Sequence, residues 1–307
     1  MIANFFNKTK PINFVVLSVM MILVYIASNI VVYSQGFSLI YLLKKGIFLF
    51  LVILMIFIFN FIIRKNTLTD NNSYAILFFI FLFGFFPYTL ENSKLLIANF
   101  ILLFAFRRIY SLRTSIHSKE KIFDSAFWIG IASMFYIWSF FFIILLYGAI
   151  WVFNKGEKRN VFIPVFGFAT PVFLVYVYYL VTNNLIEFDH LRRINYDFSF
   201  NTYAGFKFLL PLIFLLILSI ISIYPTTKKS LVAKIDFKST WTLLLLHIVL
   251  ALMIVIISPI KNGSELIFLF FPLSILFANF IQDTKKYWIK ESIVYIFIVI
   301  IGSIYLV

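Results

Sequence analysis

Between Asn183 and Phe206 the chain reads NNLIEFDHLRRINYDFSFNTYAGF and gathers Glu187, Asp189, His190, Arg192, Arg193 and Asp197 within a short polar stretch. Asp189 or Glu187 is suited to act as a general base. Arg192 and Arg193 are suited to clamp a phosphate, because a guanidinium pairs bidentately with phosphate oxygens. The same residues also make a solvated loop whose charges pair with one another and with lipid head groups, and both readings stay open. A second polar stretch, Pro259-Ile260-Lys261-Asn262-Gly263-Ser264-Glu265, joins two apolar runs. Its Asn-Gly pair explains a tight turn, and Lys261 offers a point charge to a lipid phosphate. Glu91, in the short Pro87–Glu91 turn, supplies the third candidate carboxylate.

Other chemistries are harder to build from these residues. Cys is 0, so thiolate metal sites, iron–sulfur clusters and thiol catalysis are excluded. Only His117, His190 and His247 are present, in separate parts of the chain, and no metal site is expected. His247 falls within an apolar run, where a lone imidazole is expected to bond a neighbouring helix. Asn60, Asn99 and Asn279 are the other costly polar side chains in such runs. Neither GxxxxGK[ST] nor GxGxxG occurs, so no nucleotide and no other cofactor is expected.

The elements that must carry these residues are set by composition. Hydrophobic residues make up 63% of the 307, charged residues 12%, and Phe alone contributes 42, with a mean hydropathy of +1.03. A soluble domain has about 45–50% apolar and about 25% charged residues. A soluble enzyme, a disordered chain and a secreted disulfide scaffold are therefore excluded. The net charge of +14 does not point to nucleic acid, because the Lys and Arg residues sit in short loops between apolar runs.

The expected fold is all-α: one integral-membrane domain over 1–307, a polytopic bundle of about eleven transmembrane helices. Apolar runs place them at 12–33, 46–63, 73–90, 94–106, 124–137, 139–153, 161–183, 207–224, 241–260, 264–281 and 291–307. The first run lacks a cleavage site and reads as a retained helix. The stretch from Asp124 to Phe153 fits one long tilted helix or two short ones turning near Trp138-Ser139. Two passes put 19 of the 26 Lys and Arg residues on one side, whereas a single pass divides them 13 and 13. The positive-inside bias thus favours two passes, with a cytoplasmic amino terminus in a bacterial inner membrane.

Two stretches carry a resemblance. Asp124–Phe135 (DSAFWIGIASMF), followed by an apolar run and the basic loop Lys155–Arg159, and Lys261–Phe277 resemble the membrane glycosyltransferases of the C superfold, which use polyprenyl-phosphate sugars. The whole chain also resembles a family of uncharacterised multi-pass inner-membrane proteins of Bacteroidota, on Phe5–Phe14 and Phe123–Phe135. The glycosyltransferase resemblance implies action on a lipid-linked sugar in envelope biogenesis. Those enzymes carry an acid in a long first outer loop, whereas here Ser34–Lys45 contains no Asp or Glu. The base would then be Asp189, Glu187 or Glu91, with Arg192, Arg193 and Lys261 on phosphate. The alternative is a non-catalytic membrane subunit or scaffold of an envelope assembly, and a transporter is less well supported. The expected partners are membrane lipids, a polyprenyl-phosphate-linked sugar and other membrane subunits.

Overall fold

A computed structural model describes residues 2–32, 39–191, 193–232 and 235–306 of the chain. Among these residues there is no strand, only helix and connecting turns. The helices are α1 (Ile2–Phe6), α2 (Pro11–Val32), α3 (Leu39–Asn66), α4 (Tyr74–Phe85), α5 (Tyr88–Glu91), α6 (Ser93–Tyr110) and α7 (Ser118–Phe135). They continue with α8 (Phe142–Val152), α9 (Lys158–Val181), α10 (Leu185–Leu191), α11 (Phe206–Val232), α12 (Ile235–Ile257), α13 (Ile267–Asp283) and α14 (Tyr287–Leu306). Backbone amides in hydrocarbon have no water to bond, so a chain this apolar satisfies them within helices.

Eight of the described helices, not eleven, are long and apolar enough to cross a membrane: α2, α3, α6, α9 and α11–α14. The expected helix 73–90 is the clearest correction. Apolarity runs through it unbroken, but Phe86 leaves the helical conformation ahead of Pro87 (φ −127°, ψ 76°), so α4 ends after 12 residues and α5 is a separate turn. Twelve residues span about 18 Å at 1.5 Å each, short of about 30 Å of hydrocarbon. The expected outer loop Ser34–Lys45 is also shorter, because α3 already begins at Leu39 and carries Lys44 and Lys45 on its first turns. Residues 34–38 of that loop lie outside the described residues. Similarly, α11 runs through Pro225 to Val232, where the buried Ser222 and Thr226 hydroxyls bond back to the Leu218 and Ser222 carbonyls.

The chain forms two compact units. Unit 1 comprises Met1–Ser93, Ser199–Val232 and Ile260–Val307, and its centre is the pair α4 and α13. Every residue of α4 is buried, and 94% of the Ser264–Asp283 window is buried too. Their phenylalanines interlock: Phe83 meets Phe270 at 4.9 Å between ring centroids, and Phe78 meets Phe277 at 5.8 Å. As the number rises along α4 it falls along α13, so the pair is antiparallel. Phe59 of α3 stacks on Phe79 at 4.4 Å, and Phe297 of α14 stacks on Phe85 at 4.9 Å. Each such aromatic pair adds about 0.5–1.5 kcal/mol beyond its area burial.

Unit 2 comprises Lys94–Phe198 and Ala233–Pro259, and its closest packing is between α7 and α9. A Cβ on Gly130 would lie 2.7 Å from the Pro171 ring and 2.9 Å from the Phe168 carbonyl oxygen. One on Gly167 would lie 2.7 Å from the Phe123 carbonyl oxygen and 2.9 Å from Ala126. Small residues let the two backbones approach, as apolar helices in lipid require for tight van der Waals contact. These contacts advance in the same direction along both helices, so α7 and α9 are parallel where they touch. The chain between them must therefore return. It breaks at Tyr136, which is extended, and comes back through the turn Ile137–Phe141 and α8. The chain thus turns near Trp138-Ser139, as one of the two sequence readings has it, but neither α7 nor α8 is among the eight helices long and apolar enough to cross a membrane. His247 is buried and meets Tyr110 of α6, Nδ1 to hydroxyl at 3.2 Å, as expected of an imidazole bonding a neighbouring helix.

Replacing Gly130 with Leu should overpack the α7–α9 contact and cost about 1–3 kcal/mol, read as a lower midpoint of thermal unfolding in detergent. Gly46→Ala, where an added Cβ meets nothing within 4 Å, should leave the midpoint unchanged or slightly raised. Equal midpoints for Gly130→Leu and the parent chain would mean that these helices do not pack at Gly130.

Candidate functional site

The turn that joins α12 to α13 is built around Gly263, whose φ of +87° is the left-handed conformation that glycine adopts without strain. Any side chain there would also strike Phe208, since a Cβ would lie 2.7 Å from its ring. Asn262 closes the turn: its Oδ1 accepts from the Ser264 amide at 3.1 Å and from the Ser264 hydroxyl at 2.6 Å. Asn92, just after α5, donates its side-chain amide to Ser264 Oγ at 3.2 Å. The turn thus fixes Ser264–Leu266 as one 3₁₀ turn leading into α13 and packs it against α5.

That turn holds Glu265 with no solvent exposure at all. The Tyr203 hydroxyl, from the short turn Asn201–Ala204, donates to Glu265 Oε1. Glu265 Oε2 is buried with no hydrogen-bond partner among the described residues. Lys261 is also buried, lies over the Phe200 ring at 4.7 Å from its centroid, and acts electrostatically on the Glu265 carboxylate. A carboxylate taken out of water costs several kcal/mol unless paired and hydrogen-bonded. Here one oxygen is satisfied by Tyr203, and the second is left to accept a donor.

Glu91 lies on α5, against the same turn, but it does not stand as a free base. Its Oε1 is 2.5 Å from Lys45 Nζ, and both side chains are partly buried. Lys45 in turn lies at the edge of an almost wholly apolar groove of about 480 Å³ between α2 and α3, lined by Tyr25, Ile26, Tyr41, Leu42 and Leu49. Glu91 and Lys261 are therefore brought to one end of unit 1. Glu187, Asp189 and Arg193 belong to unit 2. Glu187 and Asp189 sit on α10, whose Phe188 anchors it to Tyr176 and Tyr179 of α9, and both carboxylates and Arg193 are exposed. Arg192 lies outside the described residues. Among the described residues no group of three or more His, Asp or Glu is gathered to hold a metal ion.

Residues 5–306 match the model of a family described as a family of unknown function, DUF6427. The chain belongs to this family. No curated protein and no solved structure matches it. This member's buried acid, Glu265, escaped the reading of its sequence because it reads there as the last residue of a turn. The usable signal was a carboxylate opening an otherwise apolar run, SELIFLFFPL, where an acid is costly. Tyr203 had no such signal, since only the fold carries it to Glu265.

Tyr203→Phe should leave Glu265 Oε1 without its donor and destabilise unit 1 by about 1–3 kcal/mol, measured as a drop in thermal midpoint. Glu265→Leu combined with Tyr203→Phe should cost less than the two single changes added together, because they share one interaction. Strict additivity would show that the two side chains do not meet.

Proposed function

We propose that this chain is an integral protein of the bacterial inner membrane that acts on a lipid-linked, phosphate-bearing sugar at the end of unit 1 that holds Lys261 and Glu265. The buried Glu265, with one oxygen bonded by Tyr203 and the other unpartnered, is the observation that carries this reading. The apolar groove beside Lys45 suits a polyprenyl chain, and Lys45 and Lys261 suit its phosphate. In the reaction a hydroxyl of the acceptor forms a bond to the anomeric carbon. The bond from that carbon to the phosphate oxygen breaks, and its electron pair leaves with the polyprenyl phosphate. The hydroxyl proton passes to Glu265 Oε2, the role the glycosyltransferase resemblance otherwise leaves to Asp189, Glu187 or Glu91. Asp189 and Glu187 are less suited, because both are exposed and belong to unit 2, not to the unit that holds Lys261 and Glu265.

A second reading, a non-catalytic subunit of an envelope assembly, is favoured by the burial of Glu265 beneath Tyr203 and by the engagement of Glu91 with Lys45. The two readings separate in one assay. The purified chain is placed in vesicles with a polyprenyl-phosphate hexose and a hydroxyl acceptor, and released polyprenyl phosphate is measured. Enzymatic release should fall about 10²-fold or more in Glu265→Gln and persist in Asp189→Asn and Glu187→Gln. No release from the unaltered chain, together with a membrane protein that co-purifies in fixed ratio, supports the subunit.

The absence of cysteine makes orientation easy to read. A single cysteine at Leu39, at the start of α3, should label from outside intact inner-membrane vesicles of right-side-out orientation, and one at Thr67, just past the end of α3, only after permeabilisation. The reverse pattern would overturn the cytoplasmic amino terminus.

A further inference from the structure

We infer that the polar cavity at the opposite end of unit 1, between the end of α3 and the start of α4, is a binding site for a zwitterionic phosphoamine headgroup. The cavity has a volume of about 300 Å³, and Asn60, Arg64, Thr69, Asp70, Asn71 and Asn72 supply its polar wall. It is not part of the Glu265 turn: α13 lies between them, with Glu265 before its first residue and Gln282 at its far end.

The wall is built and held before any ligand arrives. Gln282 Oε1 accepts from the Asp70 amide at 3.1 Å and from the Asn72 side chain at 2.8 Å. Gln282 Nε2 donates to Asn279 Oδ1 at 2.9 Å, and Asn279 Nδ2 donates to the Leu68 carbonyl at 3.1 Å. From the other side, the Thr9 amide donates to the Asn71 carbonyl at 3.3 Å. Asn279, one of the polar residues buried in an apolar run, thus serves to hold this loop.

What the wall offers is a cation, an anion and amides not otherwise used. Asn60 and Arg64 are four residues apart on α3 and so share a face. Neither Arg64 nor Asp70 has an ion-pair partner among the described residues, and no hydrogen bond occupies the Asn60 amide there. A simple anion would meet Arg64 but be repelled by Asp70, and a simple cation would meet the reverse. A ligand carrying both charges satisfies both: its phosphate takes the Arg64 fork bidentately, and its ammonium takes the Asp70 carboxylate. Asn60, costly in a membrane helix, then has a phosphate ester oxygen to donate to. Phosphatidylethanolamine and free phosphoethanolamine share this chemistry, and the position at the end of a membrane-crossing helix favours the lipid.

Native mass spectrometry of the full chain in detergent tests this. It compares phosphatidylethanolamine, phosphatidylglycerol of the same acyl chains, and soluble phosphoethanolamine. Retained phosphatidylethanolamine should exceed phosphatidylglycerol, fall about tenfold in affinity in Arg64→Ala, and lose its preference over phosphatidylglycerol in Asp70→Asn. Lys65→Ala, a neighbouring cation outside the cavity, should bind as the parent chain does and shows that the fold is kept. Equal binding of the lipid and soluble forms would assign the free headgroup as ligand. Equal retention of the two lipids by the parent chain, or an Arg64→Ala chain that binds undiminished, overturns the inference.

Discussion

Hydrocarbon offers no hydrogen-bond partner to a peptide group, and it also removes the usual reason for apolar helices to come together, since lipid is as apolar as a leucine. The first condition makes every described element of this chain a helix or a turn between helices. The second means that packing must be won by shape. Unit 1 does this with rings, interlocking the phenylalanines of α4 and α13, while unit 2 does it with missing side chains, at Gly130 and Gly167. Helices such as α9, whose apolar window is only 17% buried, keep most of their surface for the surroundings.

The antiparallel α4–α13 pair also decides where polar chemistry can lie. Because α4 is too short to span and is wholly enclosed, its ends are where the chain must turn, and both turns are polar. At one end Asn92 meets Ser264 beside the buried Glu265, and Glu91 meets Lys45. At the other Gln282 and Asn279 hold the loop around Asp70. A fourth carboxylate, Glu291, is used structurally, accepting from the Ala3 amide at 3.1 Å and the Tyr287 hydroxyl at 2.5 Å. Glu291 thus holds α1 to α14, whereas Glu265 is bonded by Tyr203 within the turn that leads into α13.

Much of the fold was legible in the sequence because hydropathy and charge report directly on contact with lipid and water. The helical class, the approximate course of α2, α9, α12 and α14, and the reversal near Trp138 all follow from such patterns. Boundaries were misread where lipid contact and helix geometry part company. Lys44 and Lys45 interrupt apolarity but not the helix, since long side chains carry their charge away from the axis. Phe86 and Pro87 interrupt the helix but not the apolarity. The candidate site was legible only in part: Glu91 and Lys261 come to one end of unit 1, whereas Glu187, Asp189 and Arg193 remain on the surface of unit 2.

Composition and periodicity, which depend on each residue's own transfer free energy, determined by themselves that this chain is an all-α membrane protein without thiol chemistry. They also determined which short segments carry its charge. Which carboxylate is buried, which is paired and which is solvated was decided by tertiary structure alone. Burial and pairing depend on residues far apart in sequence, such as Tyr203 with Glu265 and Lys45 with Glu91, and no local pattern encodes that distance. An apolar residue against lipid and one against another helix have the same transfer energy. Only the packed fold could show that α4 lies inside unit 1 and that its two ends carry the polar sites.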